Sequence, residues 1–343
     1  MKSLKRVILT AYIFMQFSVL AVSQDTQYTQ YYAAPLYLNP GFTGSTQHHR
    51  FIANYRNQWP SLPGSFVSYA FSYDYYIPQV KSGIGLFVST DKAGSADLLS
   101  TNLGFLYSYK VNLAGKWLFS PGLYFGYSRK DLDFSKLIFG DQLQFDENGN
   151  APTQDLSVSQ NLQPEAHFDF GTGFLVYNKS FWAGFSMYHL NKPNQSLLGE
   201  ESRLPTKISF HSGIKIPLYH GPFKRDRTSS ISPSFIYKKQ GRFDQLDIGL
   251  HFLYEPIMIG LWYRGIPIQQ NAADNVSHDA VALILGMQFL QFDFGYSYDF
   301  TVSELGPIAG GAHEVSVTYR FEVPESHKMK RKDKFIPCPT FKN

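Results

Sequence analysis

Alternation of apolar and polar residues over stretches of about ten residues is the feature that most constrains the fold of this chain. In residues 292–300, Phe or Tyr occupies every even position, and Asp, Gly or Ser occupies every odd position. Similar alternation recurs in residues 167–176, 207–216 and 245–252. Because successive side chains of a strand point to opposite faces, each run predicts a β-strand with one apolar and one polar or small face.

The number of such strands bears on the architecture, because a soluble β-sandwich alternates in the same way around its core. Turn signals between the runs give fourteen predicted strands. They are 51–58, 65–76, 82–90, 98–111, 115–129, 165–177, 180–190, 206–217, 228–239, 243–254, 256–265, 278–289, 291–300 and 311–321. Even strand numbers are typical of bacterial outer-membrane barrels.

The lengths of the predicted connections alternate in a way that also favours a membrane barrel. Those after the fourth, sixth, tenth and twelfth strands are tiny, whereas long ones fall at 130–164, 191–205, 266–277 and 301–310. Two predicted connections depart from this alternation, because one external connection is short and one periplasmic connection is longer. Outer-membrane barrels have short periplasmic turns and long external loops. We therefore predict an all-β transmembrane barrel of about 14 antiparallel strands, with both termini periplasmic.

The first residues resemble an export signal. Three basic residues among the first six precede an apolar run over 7–22, and small residues at Ala21 and Ser23 suit cleavage after Ser23. We expect residues 1–23 to be a cleaved signal peptide and the mature chain to begin at Gln24. The predicted location is the outer membrane of a Gram-negative bacterium.

Composition excludes several other classes of protein. The formal net charge of +4 falls to +1 without the basic residues of the predicted signal peptide, and a nucleic-acid binder would show a concentrated basic excess. The single cysteine, Cys338, cannot form an internal disulfide. Beyond the signal peptide, no apolar run is long enough for a membrane-spanning helix, so we expect membrane insertion through a closed barrel.

The predicted inward faces of the strands carry both signs of charge, which fits either a salt-bridged interior or a wet one. The inward candidates are Asp169, Asp247, Asp293, Asp299, Lys207, Lys215, His167, His211 and His251. A fourteen-stranded barrel is wide enough that side chains alone need not fill it. From the sequence, the filling could be a loop, a terminus or another protein.

Several segments, taken together and in this order, resemble the PorP/SprF family of Bacteroidetes outer-membrane proteins. They are 37–44 (YLNPGFTG), 54–60 (NYRNQWP), 72–74 (SYD), 181–190 (FWAGFSMYHL), 204–207 (LPTK), 296–299 (YSYD) and 310–316 (GGAHEVS). The resemblance covers nearly the whole mature chain.

The resemblance implies a component associated with the type IX secretion system and, in gliding bacteria, with the surface display of large adhesins. It implies a secreted client protein with a C-terminal sorting domain as a partner, together with other type IX secretion or motility components. Outer-membrane lipid is the expected surrounding. The family brings no catalytic residues and no cofactor, so we expect no enzyme, no cofactor and no nucleic-acid partner.

Two groups of residues are candidates for partner binding. Arg56 and Trp59 lie where the first strand meets its external turn, and could contact a partner at the rim. The alternative is an aromatic residue at the membrane interface with an arginine packed on it. The second group lies in the basic tail after the last strand, as a predicted dock for a periplasmic component or as a disordered end. Its members are Lys328, Lys330, Arg331, Lys332, Phe335 and Cys338.

Motifs for metal or nucleophile chemistry are incomplete. His313 and Glu314 resemble the start of a zinc-protease motif, but Val317 replaces the second histidine, and there is no Gly-x-Ser-x-Gly elbow. The predicted organisation is therefore a signal peptide (1–23), an N-terminal periplasmic segment (24–50), a barrel (51–321) and a basic periplasmic tail (322–343). The functional alternatives are a secretion-associated anchoring barrel and a porin-like or fatty-acid-transporter-like diffusion or uptake channel.

Overall fold

Long antiparallel strands dominate the computed structural model, which describes residues 25–46, 49–94, 96–113, 116–133, 136–137, 142, 164–197, 201–218, 229–270, 276–302 and 307–321. The described residues contain fourteen long strands, as predicted, with bounds close to the predicted ones. They are β1 His49–Gln58, β2 Phe66–Ile77, β3 Ser82–Ala93, β4 Leu98–Tyr109, β5 Leu118–Asp131, β6 Glu165–Tyr177, β7 Phe181–Tyr188, β8 Lys207–Ile214, β9 Ser229–Gln240, β10 Phe243–Tyr254, β11 Ile257–Gln270, β12 Val276–Phe289, β13 Phe292–Thr301 and β14 Ala312–Phe321. The predicted signal peptide and basic tail lie outside the described residues.

The strands form one closed antiparallel barrel. Each strand pairs with its neighbours in sequence, and β14 pairs with β1 to complete the circle. The closing register places His49 opposite Phe321 and Gln58 opposite Ala312. Two short stretches, Val111–Asn112 and Ile216–Pro217, extend the pairing beyond β4 and β8. The prediction of an all-β barrel of about 14 antiparallel strands is confirmed.

The barrel has two unlike ends. At one, which we call the turn end, short connections such as 178–180, 255–256 and 290–291 join the strands, and β1 begins next to the end of β14. At the other, the loop end, lie the long connections such as 132–164 and 189–206. The long connection predicted at 266–277 is much shorter, because β11 continues to Gln270 and β12 begins at Val276.

The two faces of the wall have the predicted polarity. On β13, Phe292, Phe294 and Tyr296 point outward and are exposed, whereas Ser297 and Asp299 on the other face are buried. Outward aromatic rings also meet across strands, as Phe125 and Phe170 do at 6.1 Å. An apolar outer face and a polar inner face match a wall that borders lipid.

Helical structure in the described residues is confined to short turns, and none of them is long and apolar enough to cross a membrane. Three of these turns, Tyr31–Ala33, Pro35–Leu38 and Pro40–Phe42, follow one another ahead of β1. They belong to residues 25–46, which we call the luminal segment.

The luminal segment lies inside the barrel, which corrects the prediction of a separate periplasmic segment over 24–50. Its apolar side chains Leu36, Leu38 and Phe42 are buried, and the segment contacts the inward faces of strands all around the wall. The physical reason is the width of the barrel: fourteen strands enclose more space than their own side chains fill.

The luminal segment spans the length of the lumen. Asp25 contacts Lys207 and Gln240, which lie at the loop end of β8 and β9. Gly44 contacts Asp74, which lies towards the turn end of β2. The chain then turns back into β1. Asp25 therefore lies towards the opposite end of the barrel from Phe321. The termini themselves, which are predicted to be periplasmic, lie outside the described residues.

The outward position of Phe170 leads to a prediction about assembly. Phe170→Arg places a charge on the lipid face, which costs about 2–4 kcal/mol near the middle of the membrane. We expect a lower amount of folded, heat-modifiable barrel in outer-membrane fractions. Phe170→Leu, which keeps an apolar side chain there, is the matched control and should assemble normally; equal amounts of the two variants would contradict the assignment of faces.

Candidate functional site

The interior of the barrel is the candidate functional site, and its loop end holds the first charged cluster. The Asp25 carboxylate lies 2.9 Å from Lys207 Nζ and 2.9 Å from His189 Nε2. His189 Nδ1 in turn lies 3.0 Å from the Asp169 carboxylate. The Gln240 side chain both accepts from the Asp25 backbone amide and donates to its carboxylate. These contacts attach the start of the luminal segment to β7, β8 and β9.

A second charged cluster surrounds Thr29. Its hydroxyl donates to the Asp299 carboxylate at 2.8–2.9 Å and accepts from the guanidinium groups of Arg56 at 3.0 Å and Arg264 at 2.9 Å. Both arginines also form ion pairs with Asp299, at 2.8 and 3.1 Å. Arg264 lies 3.2 Å from Asp247 as well. One hydroxyl of the luminal segment thus joins charges from β1, β10, β11 and β13.

Glu314 on β14 holds the backbone of the luminal segment. Its two carboxylate oxygens accept from the amides of Thr29 at 2.8 Å and Gln30 at 3.0 Å, and it pairs with Arg56 at 3.1 Å. Glu314 is fully buried. Burial of a carboxylate is tolerated where charge partners and hydrogen-bond donors surround it, and this residue has both.

The middle of the luminal segment is held by Asn39, which is fully buried. Its side-chain amide donates to the carbonyls of Phe174 at 2.9 Å and Phe185 at 3.1 Å, and it lies 3.0 Å from His211 Nε2. Its side-chain oxygen accepts from the Gly41 amide at 2.8 Å, which caps the turn Pro40–Phe42. One side chain therefore shapes the segment locally and attaches it to the wall.

At the turn end the wall donates to carbonyls of the luminal segment. Lys110 Nζ lies 3.0 Å from the Thr43 carbonyl and 2.7 Å from the Ser120 hydroxyl. Ser108 and Ser120 donate to the Thr43 and Gly41 carbonyls, each at 2.7 Å. The carbonyl groups that a turn leaves without partners are satisfied here by side chains.

Two glycines of the wall permit this close approach. A Cβ on Gly83 would lie 2.3 Å from the Thr43 carbonyl oxygen, and one on Gly122 would lie 2.4 Å from the Pro40 carbonyl carbon. In both cases the obstructing atoms belong to backbone, which cannot rotate away. The wall at these positions accepts the luminal segment only because no side chain is present.

Aromatic rings pack the side of the lumen formed by β7 to β11. Tyr31 lies against Trp182 at 6.0 Å and Trp262 at 5.1 Å, and its hydroxyl is 3.1 Å from that of Ser234. Phe42 stacks on His211 at 5.4 Å. This part of the interior is a packed core of large buried rings, as in a soluble domain.

The structure separates the two predicted rim residues. Arg56 is buried in the cluster around Thr29, so the prediction of a rim contact by Arg56 is wrong; its position on the inward face of β1 is the reason. Trp59 does lie at the loop end, where its amide donates to the Gly311 carbonyl at 2.8 Å and its ring meets Phe66 at 5.4 Å. The tail candidates Lys328, Lys330, Arg331, Lys332, Phe335 and Cys338 lie outside the described residues.

The predicted inward carboxylates and Lys207 form ion pairs, whereas His211 and His251 pack against aromatic rings. Asp247 and Asp299 meet Arg264, Lys207 meets Asp25, and Asp293 pairs with Arg320. Sequence reasoning did not assign Thr29, Asn39, Arg264 and Glu314 to the interior. The available signal was strand parity, since Arg264 and Glu314 sit at inward positions of β11 and β14.

One cavity of about 420 Å³ remains at the loop end, between the luminal segment and the wall. Among the described residues, no group of three or more His, Cys, Asp or Glu side chains is placed to hold a metal ion. The arrangement can close the barrel and present its loop end, where the recess lies.

Several solved structures are similar to this chain in fold, all at low sequence identity. Omp33 of Acinetobacter baumannii shares 6% identity over 80% of this chain and 99% of that one, with a TM-score of 0.39. The toluene transporter TodX of P. putida shares 11% over 83% and 93%, with a TM-score of 0.44. The monoaromatic hydrocarbon channel CymD shares 12% over 85% and 93%, with a TM-score of 0.41. No curated protein matches the sequence.

The family comparison covers most of the chain. The model of the type IX secretion system membrane protein PorP/SprF matches residues 21–319, which include the luminal segment and nearly the whole barrel wall. The barrel fold and the family both indicate an outer-membrane location, and the family, which is not a known enzyme class, indicates association with type IX secretion. The chain belongs to the PorP/SprF family of type IX secretion system membrane proteins.

Proposed function

We propose that this barrel assists the secretion or the cell-surface anchoring of a large adhesin-type client protein with a C-terminal sorting domain. It acts with other type IX secretion components and, in a gliding cell, contributes to motility. Family membership supports the association with secretion. The client and its sorting domain remain part of the proposal.

The observation that carries the anchoring role is the filled lumen. The luminal segment runs from Asp25 at the loop end to Thr46 and is attached to the wall by buried charges at Thr29 and by backbone contacts at Asn39 and Lys110. Removing one partner of a buried ion pair costs about 3–5 kcal/mol. A segment with several such attachments favours a closed resting barrel that works through its surfaces.

The second candidate is a porin-like or fatty-acid-transporter-like diffusion or uptake channel. The recess of about 420 Å³ at the loop end is the observation in its favour, because a permeating solute would first enter there. Transport would then require the luminal segment to move, with the loss of its contacts to both charged clusters. Conductance measurements distinguish the two candidates.

For orientation, we propose that the loop end faces outside the cell and the turn end faces the periplasm, since long loops of outer-membrane barrels are external. The basic tail would then be periplasmic, and the signal peptide would be removed after Ser23. Under this orientation Asp25 lies inside the barrel near its outer mouth.

The orientation is tested with two epitope tags. A tag at Gly149, in the long connection after β5, should bind antibody on intact cells, whereas a tag after Asn343 should bind only after permeabilisation. Both tagged proteins must show normal heat-modifiable folding. Labelling of the Asn343 tag alone on intact cells would mean that the barrel is inverted relative to this proposal.

The closed lumen predicts a low conductance for the purified full-length protein in planar bilayers. Gly122→Val forces a side chain against the Pro40 carbonyl group, so we expect it to displace the luminal segment and to raise the frequency of ion-conducting openings. Leu123→Val, one residue along β5 on the exposed outer face, is the matched control and should stay closed.

Steady open-pore conductance of the unmodified protein would contradict the anchoring proposal and favour the channel. Gly122→Val protein that is folded but as closed as Leu123→Val would show that the luminal segment is not what closes the pore.

The tail carries a separate prediction. Its residues include a basic run and a stretch stiffened by two prolines, Phe335 to Pro339, which suits binding in an extended form. Because β14 ends at Phe321, truncation after Pro324 should leave the barrel intact while lowering the amount of adhesin on intact cells. Surface adhesin is measured with antibody against the client, next to a strain without the barrel and a strain with the full chain.

A tail variant with glutamine at Lys328, Lys330, Arg331 and Lys332 tests the charge alone. If the truncated protein displays adhesin at the level of the full chain while the deletion strain is defective, the tail is not part of the proposed docking surface. Normal display in the deletion strain would instead contradict the anchoring function itself.

A further inference from the structure

The height of the barrel wall changes abruptly at the loop end, between β6 and β7. The ladder of β5 with β6 runs along β6 from Glu165 to Tyr177, whereas the ladder of β6 with β7 covers only Thr172 to Tyr177. The difference arises because β7 ends at Tyr188. In the described part of the chain, the stretch of β6 from Glu165 to Phe170 therefore has a partner strand on one side only. We call its other side the open edge.

The chain that follows β7 contacts the open edge at two points. The Leu190 amide donates to the Phe170 carbonyl at 3.0 Å, and the Asn191 side-chain amide donates to the Phe168 carbonyl at 2.7 Å. A left-handed conformation at His189 (φ 58°) ends the extended run before these contacts. Among the described residues, backbone hydrogen bonds on this side of β6 therefore stop at Phe170.

The backbone groups beyond Phe170 have a defined direction. In an antiparallel strand, the amide and carbonyl of one residue face the same neighbouring strand, and successive residues alternate between neighbours. Since the carbonyls of Phe168 and Phe170 face the β7 side, the amides of Ala166 and Phe168 also face it, whereas His167 pairs with Ser128 on β5. The open edge thus offers main-chain donors and acceptors at the spacing of a β-ladder.

The side chains of the same stretch also lack a neighbour on that side. Phe168 is 66% exposed, whereas Phe170, which lies closer to the ladder with β7, is 41% exposed. On the inward face, His167 and Asp169 line the recess. A segment beside the open edge would therefore direct alternate side chains outward, next to Phe168, and inward, towards the recess.

We propose that the open edge binds an extended segment of the client protein as an additional β-strand. The exposed main-chain groups of a strand edge are a template for another strand, and their hydrogen bonds provide the affinity. The two unlike faces favour a segment in which apolar and polar residues alternate. Recognition of a strand follows from the edge itself, whereas its assignment to the client rests on the proposed function, which places the loop end outside the cell.

The position of the open edge favours a single segment over a second copy of the barrel. The added strand lies in line with β7, beyond Tyr188. A strand of another barrel would continue into the membrane together with its own neighbours, and β7, paired with β8, already occupies that place. A single segment that enters from the loop end can stop where β7 ends.

Hydrogen exchange of single amides tests the open edge in the purified full-length protein, isotope-labelled at alanine, phenylalanine and histidine. The Ala166 and Phe168 amides should exchange quickly, and the His167 amide, which faces β5, should exchange slowly. The probe is a short synthetic peptide in which valine and threonine alternate between terminal lysines. At saturation it should slow exchange at Ala166 and Phe168 about tenfold. A control peptide with proline in place of each valine should leave exchange unchanged.

A proline on the open edge tests the same site by mutation. Ala166→Pro removes a donor and places a ring on the edge without breaking a hydrogen bond to β5. We expect normal heat-modifiable folding and about tenfold weaker binding of the valine–threonine peptide. Ala166→Val keeps the amide and is the matched control. If Ala166→Pro fails to fold, the exchange of the unmodified protein with the two peptides still decides the proposal.

In cells, Ala166→Pro should lower the amount of surface adhesin relative to Ala166→Val. Normal display by Ala166→Pro, next to a defective deletion strain, would show that the open edge does not hold the client. Normal display in the deletion strain would instead contradict the anchoring function, and with it the assignment of the segment to the client.

Three results with the purified protein would overturn the proposal. The first is slow exchange of the Ala166 and Phe168 amides in the free protein, which would mean that another part of this chain covers the edge. The second is exchange that the valine–threonine peptide leaves unchanged. The third is a dimer of the unmodified protein that Ala166→Pro abolishes, which would make a second copy the occupant.

Discussion

The rest of this structure depends on one constraint: a barrel of fourteen strands encloses polar side chains that must find partners. In a barrel wall that faces lipid, outward apolar residues alternate with inward polar ones. Here the inward residues include Arg56, Arg264, Asp299 and Glu314. These wall residues form ion pairs with one another. The hydroxyl and backbone amide of Thr29 complete the network, so the luminal segment supplies hydrogen bonds that water would supply in an open pore.

The segments that carry the family resemblance converge on the luminal segment. In YLNPGFTG, Asn39 makes the central contacts with the wall. Gly41 lies so close to the wall that a Cβ added to it would be 2.7 Å from the Ser120 carbonyl oxygen. The later motifs come from distant parts of the chain, yet each supplies a wall residue that holds this segment. They include Arg56, Asp74, Ser186, His189, Lys207, Asp299 and Glu314. Separate short motifs thus share one physical role, which is to hold the luminal segment inside the barrel wall.

The sequence was sufficient to predict the wall but not what fills it. Period-two alternation is a local signal, so strands, faces and closure could be derived from runs such as 292–300. The luminal segment has no regular alternation of apolar and polar residues, because its side chains face the wall on several sides and each of its short turns is stabilised by different local contacts. Its partners are single residues up to 286 positions away, as for Gln30 and Ser316. Arg56 was placed at the rim for the same reason: without the segment, nothing in the sequence indicates an interior partner.

The order in which these contacts can form links the luminal segment to the closure of the barrel. The luminal segment precedes β1, but Glu314 lies on β14, which is also the strand that closes the circle with β1. The network around Thr29 is therefore complete only when the barrel closes, and closure without the segment would bury Arg56 and Glu314 with fewer partners, at a cost that increases in a low-dielectric interior. Insertion of the luminal segment and closure of the barrel consequently stabilise each other. A barrel assembled in this way is closed along most of its length, and its capacity for interaction lies at its two ends.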